Sequence, residues 1–229
     1  MLLATNGYTK LFDYISNTNK TYKVIAMLGY SSPTLDVDSE ITKHDDINAH
    51  QLQTQIQEFL TNLVGESTQT PPIYSAIKVK GKRLYKYARQ NQDVEIPDRT
   101  IFVESTELLE VNDNKVTFEI TVSKGTYIRS IVQQLGEYVN THAIVETLTR
   151  TAIGSLNINH KSLNTNVESL NHNSTIMSLD WAEVINLPKI DLDVEMIETI
   201  RNGQLLPRNM FSSEENYIIS IENNIVAIY

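Results

Sequence analysis

The chain has 229 residues, of which 41% are hydrophobic and 21% charged, enough apolar material for one large domain or a medium domain with a small appendage. It contains no cysteine, which excludes disulfides, thiol catalysis and thiolate metal sites. A net charge of −9 disfavours a polyanionic partner overall, but a local basic surface still permits contact with nucleic acid.

The first third of the sequence predicts a strand, a helix and a basic segment. "TYKVIAMLG" at 21–29 is apolar on both faces, as expected of a central strand. Apolar residues at helical spacing over 47–64 predict a helix that Gly65 caps. Pro71-Pro72 favours extended backbone, after which Gly81 marks a turn before a short basic helix.

The middle of the sequence predicts a β-hairpin and then a helix. "TIFVESTELLEV" and "KVTFEITVS" flank a turn at 112–114, and apolar residues alternate along the second strand at Val116, Phe118, Ile120 and Val122. The next stretch, "SKGTYIRSIVQQLG" at 123–136, turns at Gly125. It then places an apolar stripe on a helix, formed by Ile128, Ile131, Val132, Leu135 and Val139. Another extended segment ends near residue 158.

The last third predicts a second, smaller unit. An asparagine-rich stretch over 157–178 is typical of a linker or long loop. Asp193 is expected to cap a short helix that Gly203 ends, and "YIISIENNIVAIY" predicts a terminal hairpin turning at Asn223-Asn224. The sequence therefore predicts an α+β protein with a domain over 1–178 and a small C-terminal domain over 179–229.

Two clusters could carry function. Basic residues from Lys78 to Arg89, here called the basic stripe, contain no acid and are interleaved with tyrosines. They fit an RNA backbone and its bases, or equally a solvated helix face whose tyrosines pack inward. Tyr127 and Arg129 are two residues apart, and strand alternation would place both on one wall of a cleft. The alternative is a sheet-surface tyrosine and an arginine that pairs with a nearby acid.

Other chemistries have little support. The histidines lack metal-ligand spacing and are expected on the surface or in polar loops. No dinucleotide-binding, phosphate-loop or serine-hydrolase motif occurs. We therefore expect no metal and no nucleotide cofactor. No apolar run approaches the length of a membrane helix and the start lacks signal-peptide character, so a cytoplasmic location is the default.

Several segments together resemble the bacterial tRNA pseudouridine-55 synthases, a B-type pseudouridine synthase family. They are "KTYKVIAMLG" (20–29), "QTPPIYSAIKVKGKRLYKYAR" (69–89) and "SKGTYIRSIVQQLG" (123–136), supported by "LTRT" (148–151) and "IRNGQLLP" (200–207). The resemblance implies a mainly antiparallel sheet of the pseudouridine synthase type and a small C-terminal PUA-like domain. It also implies an enzyme that isomerises a T-loop uridine of tRNA without a cofactor, after the base has left its stack. We expect the chain to be a monomer.

The resemblance also implies roles for individual residues. Tyr127 resembles the family's active-site tyrosine, and Arg129 the arginine that pairs with the catalytic aspartate. Tyr22 resembles the tyrosine on which the flipped base stacks, and Leu148 an apolar contact to that base. The RNA-facing cations of the basic stripe would be Lys78, Lys80, Lys82 and Arg83.

The sequence departs from the family in one respect. The family's "G-x-L-D-P" loop supplies the catalytic aspartate, and no such motif occurs in the 229 residues. Asp36 and Asp38, in "PTLDVDSE", resemble a structural loop, so the acid partner of Arg129 is expected to be absent. The chain is then expected to be inactive alone, as an N-terminally truncated frame, an internal start or one half of a split product. The alternative is a tRNA-binding remnant, and a protein-interaction module explains the motifs less well.

Overall fold

Two compact units make up the protein, residues 1–157 and residues 158–229. The structure is a computed structural model. It describes residues 9–10, 12–16, 18–157, 185, 187–212, 216–222 and 224–229. The predicted domain boundary between 178 and 179 and most of the predicted asparagine-rich linker lie outside the described residues, as do His160 and His172.

The first unit contains ten strands and four helices among its described residues. The strands are β1 (Lys20–Leu28), β2 (Tyr30–Ser31), β3 (Thr42–Lys43), β4 (Gly65–Gln69), β5 (Lys78–Val79), β6 (Lys82–Arg83), β7 (Arg99–Asn112), β8 (Lys115–Val122), β9 (Ala143–Ile153) and β10 (Leu156–Asn157). The helices are α1 (Phe12–Ser16), α2 (Gln53–Asn62), α3 (Leu84–Ala88) and α4 (Ile128–Tyr138), and a 3-10 turn over Ala49–Leu52 precedes α2.

A six-stranded antiparallel sheet in the order β10-β9-β1-β8-β7-β4 is the centre of this unit. The predicted central strand is confirmed, because β1 pairs with β8 on one side and β9 on the other. The predicted hairpin is confirmed as β7 and β8. Only one face of β1 is fully buried: Val24, Ala26 and Leu28 lie in the core, whereas Lys23 on the other face is exposed.

Helices α2 and α4 cover the buried face of the sheet. The predicted stripe of α4 is confirmed, since all five of its apolar residues are buried and belong to the core cluster. Gly136 has no side chain because α4 passes close to the start of β9: a Cβ there would lie 2.6 Å from the backbone nitrogen of Ala143. Helix α2 ends at Asn62 with Leu63 as its C-cap, so the predicted Gly65 cap is wrong. Gly65 is the first residue of β4 instead.

The second unit is a small three-stranded sheet with one helix among its described residues. Its elements are β11 (Lys189–Leu192), a 3-10 turn over Val194–Met196, α5 (Ile197–Arg201), a 3-10 turn over Arg208–Met210, β12 (Ile218–Ile221) and β13 (Asn224–Ile228). The terminal hairpin of β12 and β13 is confirmed, and β11 pairs parallel to β12. Leu206, Tyr217 and Ile219 form the centre of its own core. Asp193 occupies the predicted N-cap position, although its side chain makes no capping hydrogen bond.

In the part of the chain that the structure describes, no helix is both long and apolar enough to span a membrane.

Candidate active site

Tyr127 and Arg129 lie at the start of α4, not on a strand. Strand β8 ends at Val122, and Gly125, with φ of 88°, carries the backbone round the turn before the helix. Tyr127 is the N-cap residue of α4 in an extended conformation, and Arg129 belongs to the first helical turn. Strand alternation therefore does not apply to these two residues, contrary to the prediction, because the strand has ended before either of them. That their side chains line one cleft wall stays a prediction.

A buried glutamine holds the backbone of Tyr127 in place. Gln69, at the end of β4, is only 1% exposed. Its Oε1 accepts a hydrogen bond from the Tyr127 amide at 2.8 Å, and its Nε2 donates to the Tyr127 carbonyl at 3.1 Å. The side-chain amide thus satisfies both polar groups of the Tyr127 backbone, as a neighbouring strand would. Ser130 adds a hydrogen bond from its hydroxyl to the Thr70 carbonyl.

Arg129 has an acid partner, contrary to the sequence-based expectation. Its Nη1 lies 2.9 Å from Oδ2 of Asp36 and also donates to the Thr34 carbonyl at 2.8 Å. Its Nη2 donates to the Tyr74 carbonyl at 3.1 Å. The Arg129 and Asp36 side chains are 25% and 19% exposed, so the ion pair is largely shielded from water. Arg129 therefore joins α4 to two loops that are distant in sequence.

The loop that carries Asp36 is itself firmly held. Asp36 forms a parallel bridge to Val145 of β9, whose amide donates to the Leu35 carbonyl at 3.0 Å. Leu35 adopts a φ of 62°, an unusual conformation for a non-glycine residue. Thr34 donates its hydroxyl to Asp36 Oδ1, and the Asp38 amide donates to the same oxygen. Both carboxylate oxygens of Asp36 are thus occupied, whereas Asp38 is exposed.

Tyr22 and Leu148 lie on the helix-covered face of the sheet, on neighbouring strands. In the register of β1 and β9, Tyr22 faces Arg150 and Val24 faces Leu148, so the four residues share one face. Tyr22 is half-buried and packs against the core cluster that includes Ile128, the residue after Tyr127. Leu148 remains 42% exposed beside the fully buried Val24. The structure therefore brings Tyr22 and Leu148 together on a partly open apolar surface.

The basic stripe forms a hairpin of β5 and β6 followed by α3, which confirms the predicted turn and short helix. Lys78 pairs across the hairpin with Arg83, and both are exposed, as is Lys80. Lys82 pairs with Val79 instead and is half-buried. The Lys82 ammonium bonds the side-chain oxygens of Gln90 and Gln92 and lies 4.3 Å from the centre of the Tyr87 ring.

The tyrosines of the stripe face the protein to different extents. Tyr87 donates its hydroxyl to the Val79 carbonyl, and its ring is occupied by Lys82. For Tyr87 the inward-packing alternative is therefore the correct one. Tyr85 is half-buried, with the Arg89 guanidinium 5.5 Å from its ring centre.

Comparison with known proteins identifies the family of this chain. A family model described as TruB family pseudouridylate synthase (N terminal domain) matches residues 1–128. The chain belongs to the TruB family. The name implies an isomerase of the pseudouridine synthase type, as the sequence segments predicted.

Relatives of this TruB-family chain extend the match over nearly all of it. "tRNA pseudouridine synthase B" of Bacillus cytotoxicus is 34% identical, over 96% of this chain and 75% of the relative. The protein of the same name from Mycoplasmopsis pulmonis is 31% identical, over 100% of this chain and 75% of the relative. The Mycoplasma mobile protein is 35% identical, over 95% of this chain and 71% of the relative.

Solved structures share the fold of this TruB-family chain. The structure titled as a Cbf5-Nop10-Gar1 complex contains a chain with a TM-score of 0.62 and 19% sequence identity, matched over 98% of this chain and 63% of that one. An archaeal box H/ACA sRNP Nop10-Cbf5 complex gives a TM-score of 0.61 with 18% identity, matched over 96% and 61% of the two chains. The α+β class with a mainly antiparallel sheet is confirmed.

The sequence does not reveal two residues of the candidate site. It places Asp36 in a structural loop, and no local pattern shows that this loop reaches Arg129, 93 positions away. Gln69 stands out only as the first residue of a motif; its position directly before Thr70 and Pro71-Pro72, at the end of β4, is the one available signal. Both residues act by holding Tyr127 or Arg129 in place.

Proposed function

We propose that this chain binds the T-arm of tRNA and holds its T-loop uridine for isomerisation to pseudouridine. In that reaction the N-glycosidic bond breaks, the uracil turns over, and its C5 bonds to the ribose while the C5 proton leaves. The observation that carries the proposal is the Arg129–Asp36 pair at the start of α4 in a chain of the TruB family. The names of the curated relatives support tRNA as the substrate.

In this proposal Tyr22 and Leu148 receive the extruded base. The half-buried Tyr22 ring offers a π-face for stacking, which is sequence-tolerant and worth about 1–3 kcal/mol per base. Leu148, exposed on the neighbouring strand, offers a second apolar contact. Tyr127, whose backbone Gln69 holds at both polar groups, supplies a rigidly placed side chain beside the base. Pre-positioned contacts of this kind reduce the entropic cost of reaching the reactive geometry.

Arg129 retains the capacity to bind a second carboxylate. A guanidinium has five N–H donors. The hydrogen bonds of Arg129 to Thr34, Asp36 and Tyr74 use three of them, which leaves two. Asp36 and the two carbonyls hold the guanidinium in place without saturating it. A reacting aspartate that docks on Arg129 would be kept ionised and oriented by charge-assisted hydrogen bonds.

Asp36 is poorly placed to be that reacting group. Its Oδ1 accepts from Thr34 and from the Asp38 amide, and its Oδ2 is paired with Arg129. An attack by this carboxylate would break those contacts. We therefore propose that the 229 residues alone bind the T-arm without forming pseudouridine, and that a "G-x-L-D-P" carboxylate completes the site. We also propose that the chain acts on tRNA in the cytoplasm and does so as a monomer.

Tritium release tests the proposal. Purified chain is incubated with unmodified tRNA carrying tritium at uracil C5, since isomerisation releases that label. Parallel samples contain a variant with a fused "G-x-L-D-P" segment and a matched variant in which its aspartate is asparagine. We expect release only with the aspartate segment. Release by the bare chain would show that Asp36 or another carboxylate of the chain reacts. T-arm binding without release in every sample would favour the tRNA-binding remnant.

A further inference from the structure

Three cations outside the basic stripe converge at one end of the sheet. Lys20 begins β1, Lys124 follows β8, and Arg150 lies on β9. The Lys20 ammonium donates to the carbonyls of Ser16 and Thr18, at 2.5 and 2.6 Å. Lys124 reaches the hydroxyl of the same Ser16 at 3.4 Å. We call Lys20, Lys124 and Arg150 the cationic cluster.

The cationic cluster brings three positive charges close together. Among the described residues, no ion pair involves Lys20 or Arg150. A nearby acid, Glu104, accepts a hydrogen bond from the side-chain amide of Asn19. Partial burial lowers the pKa of Lys20, and the charges of Lys124 and Arg150 lower it further. Like charges held together in this way create a local potential that an anion would relieve.

The cluster adjoins the surface proposed to receive the base. Arg150 lies directly opposite Tyr22 in the sheet register, on the same face. Lys20 lies two residues before Tyr22 on β1, about 7 Å along the strand. This distance is comparable with that between a nucleobase and the phosphate of its own nucleotide. An RNA whose base rests on Tyr22 therefore brings a backbone phosphate within reach of the cluster.

We propose that Lys20, Lys124 and Arg150 form a phosphate-binding site that grips the RNA backbone next to the uridine held on Tyr22 and Leu148. This inference rests on the proposed function. The Lys20 ammonium is fixed by two backbone carbonyls and keeps one of its three donors for a phosphate oxygen. Arg150 is exposed, so its guanidinium can present two parallel donors to the same phosphate. The cluster would hold the extruded nucleotide by its backbone while the sheet face holds its base.

Binding of a T-arm stem-loop RNA, measured by fluorescence anisotropy over a range of salt concentrations, tests the site. The test variants are Lys20→Gln, Arg150→Gln and the triple variant with Lys124→Gln. Lys23→Gln is the matched control, since Lys23 is exposed on the opposite face of β1. We expect the triple variant to bind the RNA at least about tenfold more weakly than the unmodified chain does. The slope of log affinity against log salt concentration should become shallower by roughly 0.7–0.9 for each phosphate that is no longer neutralised. The Lys23→Gln control should bind the RNA as tightly as the unmodified chain does. Circular dichroism shows whether each variant is folded.

Neutral methylphosphonate substitutions, placed one at a time next to the target uridine, locate the phosphate. One substitution should weaken binding to the unmodified chain but have little further effect on the triple variant. If every substitution weakens both proteins equally, or if the triple variant binds like Lys23→Gln, the site is refuted. If the unmodified chain binds no T-arm RNA, the proposed function fails instead. Failure of the phosphate site and failure of the proposed function are thus distinguishable.

The protonation of Lys20 provides a second readout. Phosphate contact favours the charged ammonium, so the pKa of Lys20 should rise on RNA binding from its lowered value in the free chain. Side-chain NMR titration of free and RNA-bound protein, with Lys23 as the internal reference, measures this change. An unchanged or lower Lys20 pKa in the complex would contradict phosphate contact.

Discussion

Replacing Asp36 with asparagine removes the charge that faces Arg129 while keeping almost the same side-chain shape. The ion pair spans 2.9 Å, and its side chains are 19% and 25% exposed. Breaking a fully buried pair costs about 3–5 kcal/mol, whereas exposed pairs contribute about 0–1 kcal/mol. Because Arg129 keeps its bonds to the Thr34 and Tyr74 carbonyls, we expect Asp36→Asn to lose about 2 kcal/mol of unfolding free energy.

Denaturant and thermal unfolding of the purified chain measure this loss. A change of about 2 kcal/mol should lower the Tm of a unit of this size by about 4–8 °C. Asp38→Asn is the matched control, because Asp38 is exposed and should change stability by no more than about 0.5 kcal/mol. In a double-mutant cycle with Arg129→Gln, the coupling should exceed about 1 kcal/mol. Equal stability of Asp36→Asn and Asp38→Asn, with no coupling to Arg129, would refute the reasoning.

Single substitutions at four other positions test individual contacts. Gln69→Leu leaves the Tyr127 amide without its partner and removes one of the two hydrogen bonds to the Tyr127 carbonyl, which still accepts from the Ile131 amide. It should cost about 2 kcal/mol in denaturant unfolding; an unchanged midpoint would count against this role. Gly136→Ala forces a Cβ against backbone atoms and should lower the Tm despite the better helix propensity of alanine, so a raised Tm would be contrary evidence. In T-arm binding, Arg83→Gln should reduce affinity and salt slope more than Lys82→Gln, because the Lys82 ammonium is already bound by Gln90 and Gln92 and lies over the Tyr87 ring; the reverse order would show that Lys82 faces the RNA.

Local patterns in the sequence predicted most of the elements correctly. The alternating apolar residues of β8 and the apolar stripe of α4 both arise because one face of each element is buried. That pattern is visible within a short stretch of the sequence. The turn at Gly125 was also predictable, because few residue types adopt its φ. The end of α2 was less predictable, since helix ends depend on which backbone carbonyls find hydrogen-bond partners. Gly65 belongs to β4 instead of capping this helix.

Contacts between distant segments could not be read from the sequence in the same way. The pairing of Arg129 with Asp36 depends on the loop that Leu35 and Val145 hold against β9. Likewise, the inward position of Lys82 depends on its register opposite Val79. The family resemblance supplied the importance of Arg129, but the identity of its partner in this chain required the three-dimensional arrangement.

Single-turnover tritium release by the fused chain, measured for the unmodified protein and for Arg129→Lys, tests the role proposed for Arg129. In that role Arg129, held by Asp36, Thr34 and Tyr74, orients the reacting carboxylate. Lysine keeps the charge but cannot reproduce the planar fork of donors. At saturating protein, the rate of release should fall by about 100-fold or more, while the Kd for the T-arm changes by less than about threefold. An unchanged rate, or a loss confined to T-arm binding, would contradict this role for Arg129.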